Sequence, residues 1–213
     1  MGLFNTLKAA FGGGAGKPPD RLWFNKMAKY KGLRQFLAEL NDSRRIWVLT
    51  HFEESLCEVK LALEIMKLDF AETVHHDDLK PAQPGRITVT PADLLLSATT
   101  LAPLIAPPDL ILITEHYPMP DKDASLIEKL RVLAPTAEIF FYVDLTEPFF
   151  TNKIVSGGGR IARIMERLEW NKDEALEHPL LSRSIISAQR RFAQVAKGDQ
   201  PARSQEEWFE LNL

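Results

Sequence analysis

The sequence predicts an α/β fold: a three-layer domain with a mostly parallel sheet. Three observations lead there. Short apolar runs, IWVLT at 46–50, RITVT at 86–90, DLILIT at 109–114 and EIFFYVDL at 138–145, read as strands. Segments of helical period, EESLCEVKLALEIMKL at 53–68 and DKDASLIEKLRVL at 121–133, fall between them. Beyond Thr151-Asn152-Lys153 the strand pattern stops and helical period takes over. Alternating strands and helices argue for a parallel sheet covered on both faces.

Taken in order, the elements begin with a short amphipathic helix whose Leu3, Phe4, Leu7 and Phe11 share a face. A glycine–proline linker follows, so residues 1–20 form a leading segment. A helix is expected from about Leu22 to Leu40, broken near Gly32 and ended by Asn41-Asp42-Ser43. The strand at 46–50, the helix at 53–68 and a strand at 70–75 come next. After the strand at 86–90, Pro91 opens a short helix, as proline does at a first helical position. The strand at 109–114, the helix at 121–133 and the last strand complete a domain spanning 21–150. A helical extension occupies 151–196, with a GGGR loop at 157–160, and a tail occupies 197–213.

Composition narrows the functional classes. The chain has 213 residues, 45% of them hydrophobic and 26% charged, enough apolar mass for a real core. A formal net charge of −3 gives no general attraction to nucleic acid. The single Cys57 excludes an internal disulfide or a CxxC zinc site and fits a reducing cytoplasm. No apolar run approaches the roughly 20 residues that span a bilayer. The stretch GGGAGKP at 12–18 imitates a phosphate-binding loop but fails its chemistry. Phe11 holds the first glycine position, Pro18 stands where the Mg²⁺-binding hydroxyl belongs, and no strand precedes it. The run His75-His76-Asp77-Asp78 reads as a solvated turn, since neighbouring histidines on a strand point to opposite faces; no metal site is expected.

Two motifs near the C-terminal end carry a resemblance. Glu174-Ala175-Leu176-Glu177-His178-Pro179 and Ala188-Gln189-Arg190-Arg191, in that order and at that spacing after the strand around Phe141-Tyr142, resemble the SecA preprotein translocase ATPase family. There a strand like FYLSMED runs through E-x-I-E-H-P and A-Q-R-K-V-E into a helical scaffold. Upstream, Thr50, Glu54 and Ser55 keep the outline of a T-x-S-I-E-x-S turn, and Thr114-Glu115 that of T-E-R-H. The segment MGLFNTLKAAFGG is similar to the family's N-terminal helix. The resemblance implies a RecA-like domain of the helicase C-terminal type, within the P-loop NTPase fold. It also implies an internally deleted relative, with the N-terminal helix, the second motor domain and the start of the scaffold.

Aligned without gaps, the resemblance places the three arginines that face ATP phosphates on Ile127, Lys129 and Val132, with Arg131 at a glycine. The G-R-G-T-D portion of the other motor motif, expected after Thr90, reads Leu94-Leu95-Leu96-Ser97-Ala98. Lysine or an aliphatic side chain does not replace a guanidinium at a developing phosphoryl charge. The expectation is therefore a pseudo-ATPase: no catalytic residues, no cofactor, and a binding or regulatory role tied to protein export. Its expected partner is a translocase component or SecA itself, in the cytoplasm or peripherally at the inner face of the membrane. Leu3, Phe4, Leu7 and Phe11 are the expected membrane or partner contact. The alternatives are half of a composite motor completed by another chain, and an RNA-binding derivative; the acidic charge balance opposes nucleic acid. Open α/β sheets bind ligands beyond their strand ends. The candidate pocket there comprises Thr50, His51, Thr90, Thr114, Glu115, His116, Lys129 and Arg131.

Overall fold

The computed structural model describes residues 17–40, 43–73, 83–97, 107–153 and 170–213. The expected N-terminal helix with Leu3, Phe4, Leu7 and Phe11, the histidine turn at 75–78 and the GGGR loop lie outside them. Among the described residues the strands are β1 (Asp20–Trp23), β2 (Ile46–Thr50), β3 (Phe70–Glu72), β4 (Ile87–Pro91), β5 (Leu110–Ile113) and β6 (Glu138–Asp144). They form one sheet in the order β1-β6-β5-β2-β4-β3, and every neighbouring pair is parallel. The helices are α1 (Lys26–Glu39), α2 (Glu53–Ile65), α3 (Ala92–Ser97), α4 (Pro120–Leu133), α5 (Pro148–Thr151), α6 (Pro179–Val195) and α7 (Gln205–Asn212).

Alternation along the strands sorts the core into two layers. Ile46, Val48, Val89, Leu110, Leu112 and Tyr142 pack with α1 and α2 through Leu33, Val59 and Leu63. Trp47, Leu49, Ile111, Ile113, Phe141 and Val143 pack on the other side with α3, α4, α6 and α7. Right-handed crossovers account for the division: β1→β2 and β2→β3 travel one way along the sheet, the later connections the other. The three-layer α/β architecture predicted from the strand pattern is thus present. IWVLT and LILI are buried along their whole length because helices cover both faces of the central strands.

Four expectations need correction. The helix expected from Leu22 begins at Lys26, because Asp20–Trp23 is the edge strand β1, paired with Phe141–Asp144. Asn25 then caps the helix, its side chain accepting from Ala28 N at 2.9 Å. Gly32 does not break α1. A Cβ there would lie 1.9 Å from the Trp23 indole, so glycine lets the helix close onto that ring. The extension is not continuously helical, because residues 170–178 wrap the sheet edge. Leu176 and Leu22 exchange backbone hydrogen bonds of 2.8 and 3.1 Å, pairing the outer edge of β1. Last, the stretch expected as a tail folds back as α7. Ser204 caps it, Trp208 is fully buried, and Phe209 meets Phe192 of α6 at a centroid distance of 4.7 Å.

Substituting Gly32→Ala should destabilise the fold by about 1–3 kcal/mol, since the Trp23 ring cannot leave without opening its packing on Tyr142. Urea denaturation checks this. A stability equal to or above that of the parent, as the better helix propensity of alanine alone would give, contradicts the close-approach account.

Candidate functional site

The carboxyl ends of β2 and β5 adjoin, and the helices that follow them, α2 and α4, run to opposite faces. This is a topological switch point, the crevice where open α/β sheets accept ligands. The segments leaving these strands, Thr50-His51-Phe52 and Thr114-Glu115-His116-Tyr117, fill it with buried polar groups.

Glu115 occupies the N-terminus of α2. Phe52 cannot cap that helix with its own side chain. Glu115 supplies the missing acceptor: Oε1 takes the N–H groups of His51 (2.9 Å) and Phe52 (3.1 Å), and Oε2 takes the Ser55 hydroxyl (2.6 Å). A carboxylate from the chain itself thus holds the position where a helix N-terminus would receive a phosphate. Burial pushes this carboxyl above its ordinary pKa, against the bond from Ser55.

His116 is fully buried and stacks on Phe141 at 4.0 Å. Its Nδ1 lies 2.7 Å from Asp123 Oδ2 and its Nε2 lies 2.9 Å from Asp20 Oδ1, so both nitrogens donate and the ring is charged. Burial and Lys17 oppose that charge, but Asp123 and Asp20 outweigh them and raise the imidazole pKa. In return the Asp123 carboxyl is held far below its usual range, burial notwithstanding. His51 Nε2 is 3.0 Å from Asp123 Oδ1, though off-line for a hydrogen bond. Gln189 of α6 donates to Asp123 Oδ2 (2.8 Å) and to Tyr117 O (2.9 Å). Gln205 of α7 donates to His116 O (2.9 Å) and accepts from Phe149 N (2.9 Å). The C-terminal helices are therefore docked through the crevice.

A pocket of about 230 Å³ opens on the α1/α2 side of the same edge, walled by α1, α2, the segment after β6 and the start of α7. Lys29, on the buried face of α1, donates to Thr114 O (2.8 Å) and Glu147 Oε1 (2.7 Å), with Asp144 Oδ2 at 3.7 Å. Glu147 also accepts from Asp144 N through the same oxygen. Burial pushes its carboxyl up to about 8, with Lys29 opposing.

The predicted residues divide accordingly. His51, Glu115 and His116 share the crevice, and Thr114 and Glu115 line the pocket. Thr50 and Thr90 are buried, their hydroxyls without hydrogen bonds among the described residues, and strand alternation sends them to opposite faces. Lys129 and Arg131 do not join the group. They lie in the last turns of α4, about 14 Å along the helix from its start at the strand end. Lys129 Nζ instead donates to the Leu95 and Leu96 carbonyls (3.0 and 2.5 Å), closing the C-terminus of α3. Sequence reasoning missed Asp20, Lys29, Asp123, Glu147 and Gln205. Lys29 left a faint signal as a charge on the buried face of α1, and the others read as ordinary first-turn or loop residues.

No family model matches the chain. Two 51-residue matches, each 24% of this chain, fall to curated relatives named protein translocase subunit SecA. One, from Desulforudis audaxviator (strain MP104C), is 54% identical; the other, from Dechloromonas aromatica (strain RCB), is 41% identical. Each match spans 5% of the relative's length. Among solved structures, the C-terminal part of the Fun30 ATPase domain is 12% identical, over 80% of this chain and 56% of that one, with a TM-score of 0.42.

The site predicts an unusual pH dependence. His116 and Glu147 both have folded pKa values raised above their reference values of 6.5 and 4.5, Glu147 to about 8. The folded state then binds more protons across that window, so stability falls as pH rises from 5 to 8. The slope is at most about 1.4 kcal/mol per pH unit for each differing proton. Asp20 and Asp123, lowered in the folded state, affect only pH below about 4. Urea midpoints at pH 5.5 and 8 should show the loss, and Glu147→Gln should flatten it. A midpoint rising over this range refutes the assignment.

Proposed function

We propose that the chain is a non-catalytic relative of the SecA second motor domain that acts by binding, in a process linked to protein export. The observation that carries this reading is Lys129. It stands where the resemblance expects a phosphate-facing arginine, and its ammonium is tied to the α3 carbonyls, away from the strand ends. Its companions offer no substitute: Ile127 packs against the core, and Val132 is an exposed aliphatic. The crevice itself is filled by Glu115, His116 and Asp123 rather than by free cations.

The SecA-like matches support the export link, and a translocase component or SecA is the partner this reading names. The motifs that carry the resemblance have packing roles. Leu176 pairs with β1, Glu177 lies 2.7 Å from Arg21, His178 caps α6 and Gln189 docks it. A chain that keeps such contacts keeps a folded surface without needing turnover.

The test is nucleotide binding. A ligand at 100 times its Kd raises stability by about 2.7 kcal/mol. Mg-ATP at millimolar concentration should leave the melting temperature unchanged, and no phosphate should be released. A melting shift with Mg-ATP that Lys129→Ala abolishes would establish a working motor half and overturn the proposal.

Among the described residues no helix is long and apolar enough to cross a membrane. The apolar residues Leu3, Phe4, Leu7 and Phe11 give this binding role a means of reversible surface attachment, at roughly 1.5–3 kcal/mol for each side chain buried. The full chain should co-sediment weakly with phosphatidylglycerol-containing vesicles. A chain beginning at Lys17, which keeps the Pro19 and Asp20 contacts of β1, should stay in the supernatant. Equal sedimentation of the two removes the anchor from the proposal.

A further inference from the structure

The pocket beside the crevice carries more negative charge than its own structure uses. We infer that it seats one cationic side chain, the guanidinium or ammonium of an arginine or lysine presented by a protein partner. The inference rests on the binding role proposed above for the existence of the partner, and on the pocket alone for its chemistry.

Six carboxyl groups line the pocket against two lysines, and with Glu147 holding a proton near pH 7 five of them carry charge. Both lysines are already engaged. Lys26 lies 2.5 Å from Glu58, and Lys29 lies 2.7 Å from Glu147. The N-termini of α2 and α7 offset about half a charge each, and Glu115 already answers the first. A deficit of positive charge remains.

Its location is defined by oxygens without donors. At the floor, Asp144 is fully buried and Glu147 is nine-tenths buried. Asp144 Oδ2 and Glu147 Oε2 have no hydrogen-bond partner among the described residues. Buried carboxylate oxygens left without donors cost free energy, and a cation entering from the rim would supply the missing N–H groups. At the rim, Glu54 and Glu206 are exposed, on the first turns of α2 and α7.

Size argues in the same direction. The volume of about 230 Å³ is below the roughly 300–1,000 Å³ of pockets that hold whole small molecules, and suits a single long side chain. The acidic lining repels phosphate. Tyr30, whose hydroxyl donates to Glu58 at 2.8 Å, adds an aromatic wall of the kind on which a guanidinium stacks.

Amide chemical shifts of the full chain provide the test. The probes at pH 7 are the peptide acetyl-Gly-Arg-Gly-amide, its citrulline counterpart of the same shape without charge, spermidine, and Mg-ATP. The arginine peptide should shift the amides of Ser55, Thr146 and Gln205 saturably, and the citrulline peptide should not. Replacing Glu54→Gln and Glu206→Gln together should weaken binding roughly tenfold, at a few-fold for each exposed charge. Glu147 supplies a second readout. Binding at pH 7 should release up to about one proton, seen as a dependence of the calorimetric heat on buffer, and Glu147→Gln should release none.

Shifts equal with citrulline, or unchanged in the double variant, overturn the inference. Spermidine binding at least about tenfold tighter than the peptide would assign the pocket to a free polyamine and overturn the protein partner. Mg-ATP shifting the same three amides would defeat the proposed function instead. Silence from every probe defeats the cation seat and leaves the non-catalytic reading standing.

Discussion

His116 carries its charge where no water reaches, and it does so because Asp20 and Asp123 stand on either side of its ring. Isolating one of these charges by removing its partner typically costs about 3–5 kcal/mol. That cost constrains the chain far beyond the three residues. Asp20 must reach the end of β5, which it does because β1 pairs only with the second half of β6. Asp20 sits level with Phe141, which sits level with Ile113. Asp123 must lie in the first turn of α4, which fixes how that helix leaves the sheet. Ser182, hydrogen-bonded to Asp20, and Gln189, hydrogen-bonded to Asp123, bring α6 to the same point.

The C-terminal helices are therefore part of the domain's interior. Phe149, Phe192, Phe209 and Trp208 form a continuous aromatic layer across α5, α6 and α7. Gln205 binds the backbone on both sides of the crevice. The polar contacts set where the helices dock, and the aromatic layer supplies apolar burial. The fold thus fills its own strand-end crevice with buried groups of the chain itself.

Much of the architecture was legible from the strands. IWVLT and DLILIT are uninterrupted apolar runs, and such runs need cover on both faces. The helices between them supplied the crossovers, so a parallel sheet followed. β1 was not legible. DRLW is short and polar at its start, and its strand identity comes from pairing with Phe141–Asp144 and from Leu176 closing its other edge. Gly32 looked like a break because the sequence does not reveal the indole lying against it. The final segment looked like a tail because it is mostly polar, yet Trp208 and Phe209 fill the space beside Phe192.

For the site, the sequence by itself determined which residues would stand at the carboxyl ends of the strands. His51, Glu115 and His116 follow apolar runs directly, so chain connectivity puts them there. It also set which residues, Ile127, Lys129 and Val132, stand at the positions that the resemblance assigns to arginines, since that is a matter of residue identity. Only the tertiary structure decided what these residues touch. Asp20 and His116 are 96 positions apart, and Lys29 and Glu147 are 118 apart. No local pattern joins residues at such separations; the strand order does. The same order put Lys129 against the end of α3 instead of the crevice, because a helix that starts at one edge of a sheet ends near the other.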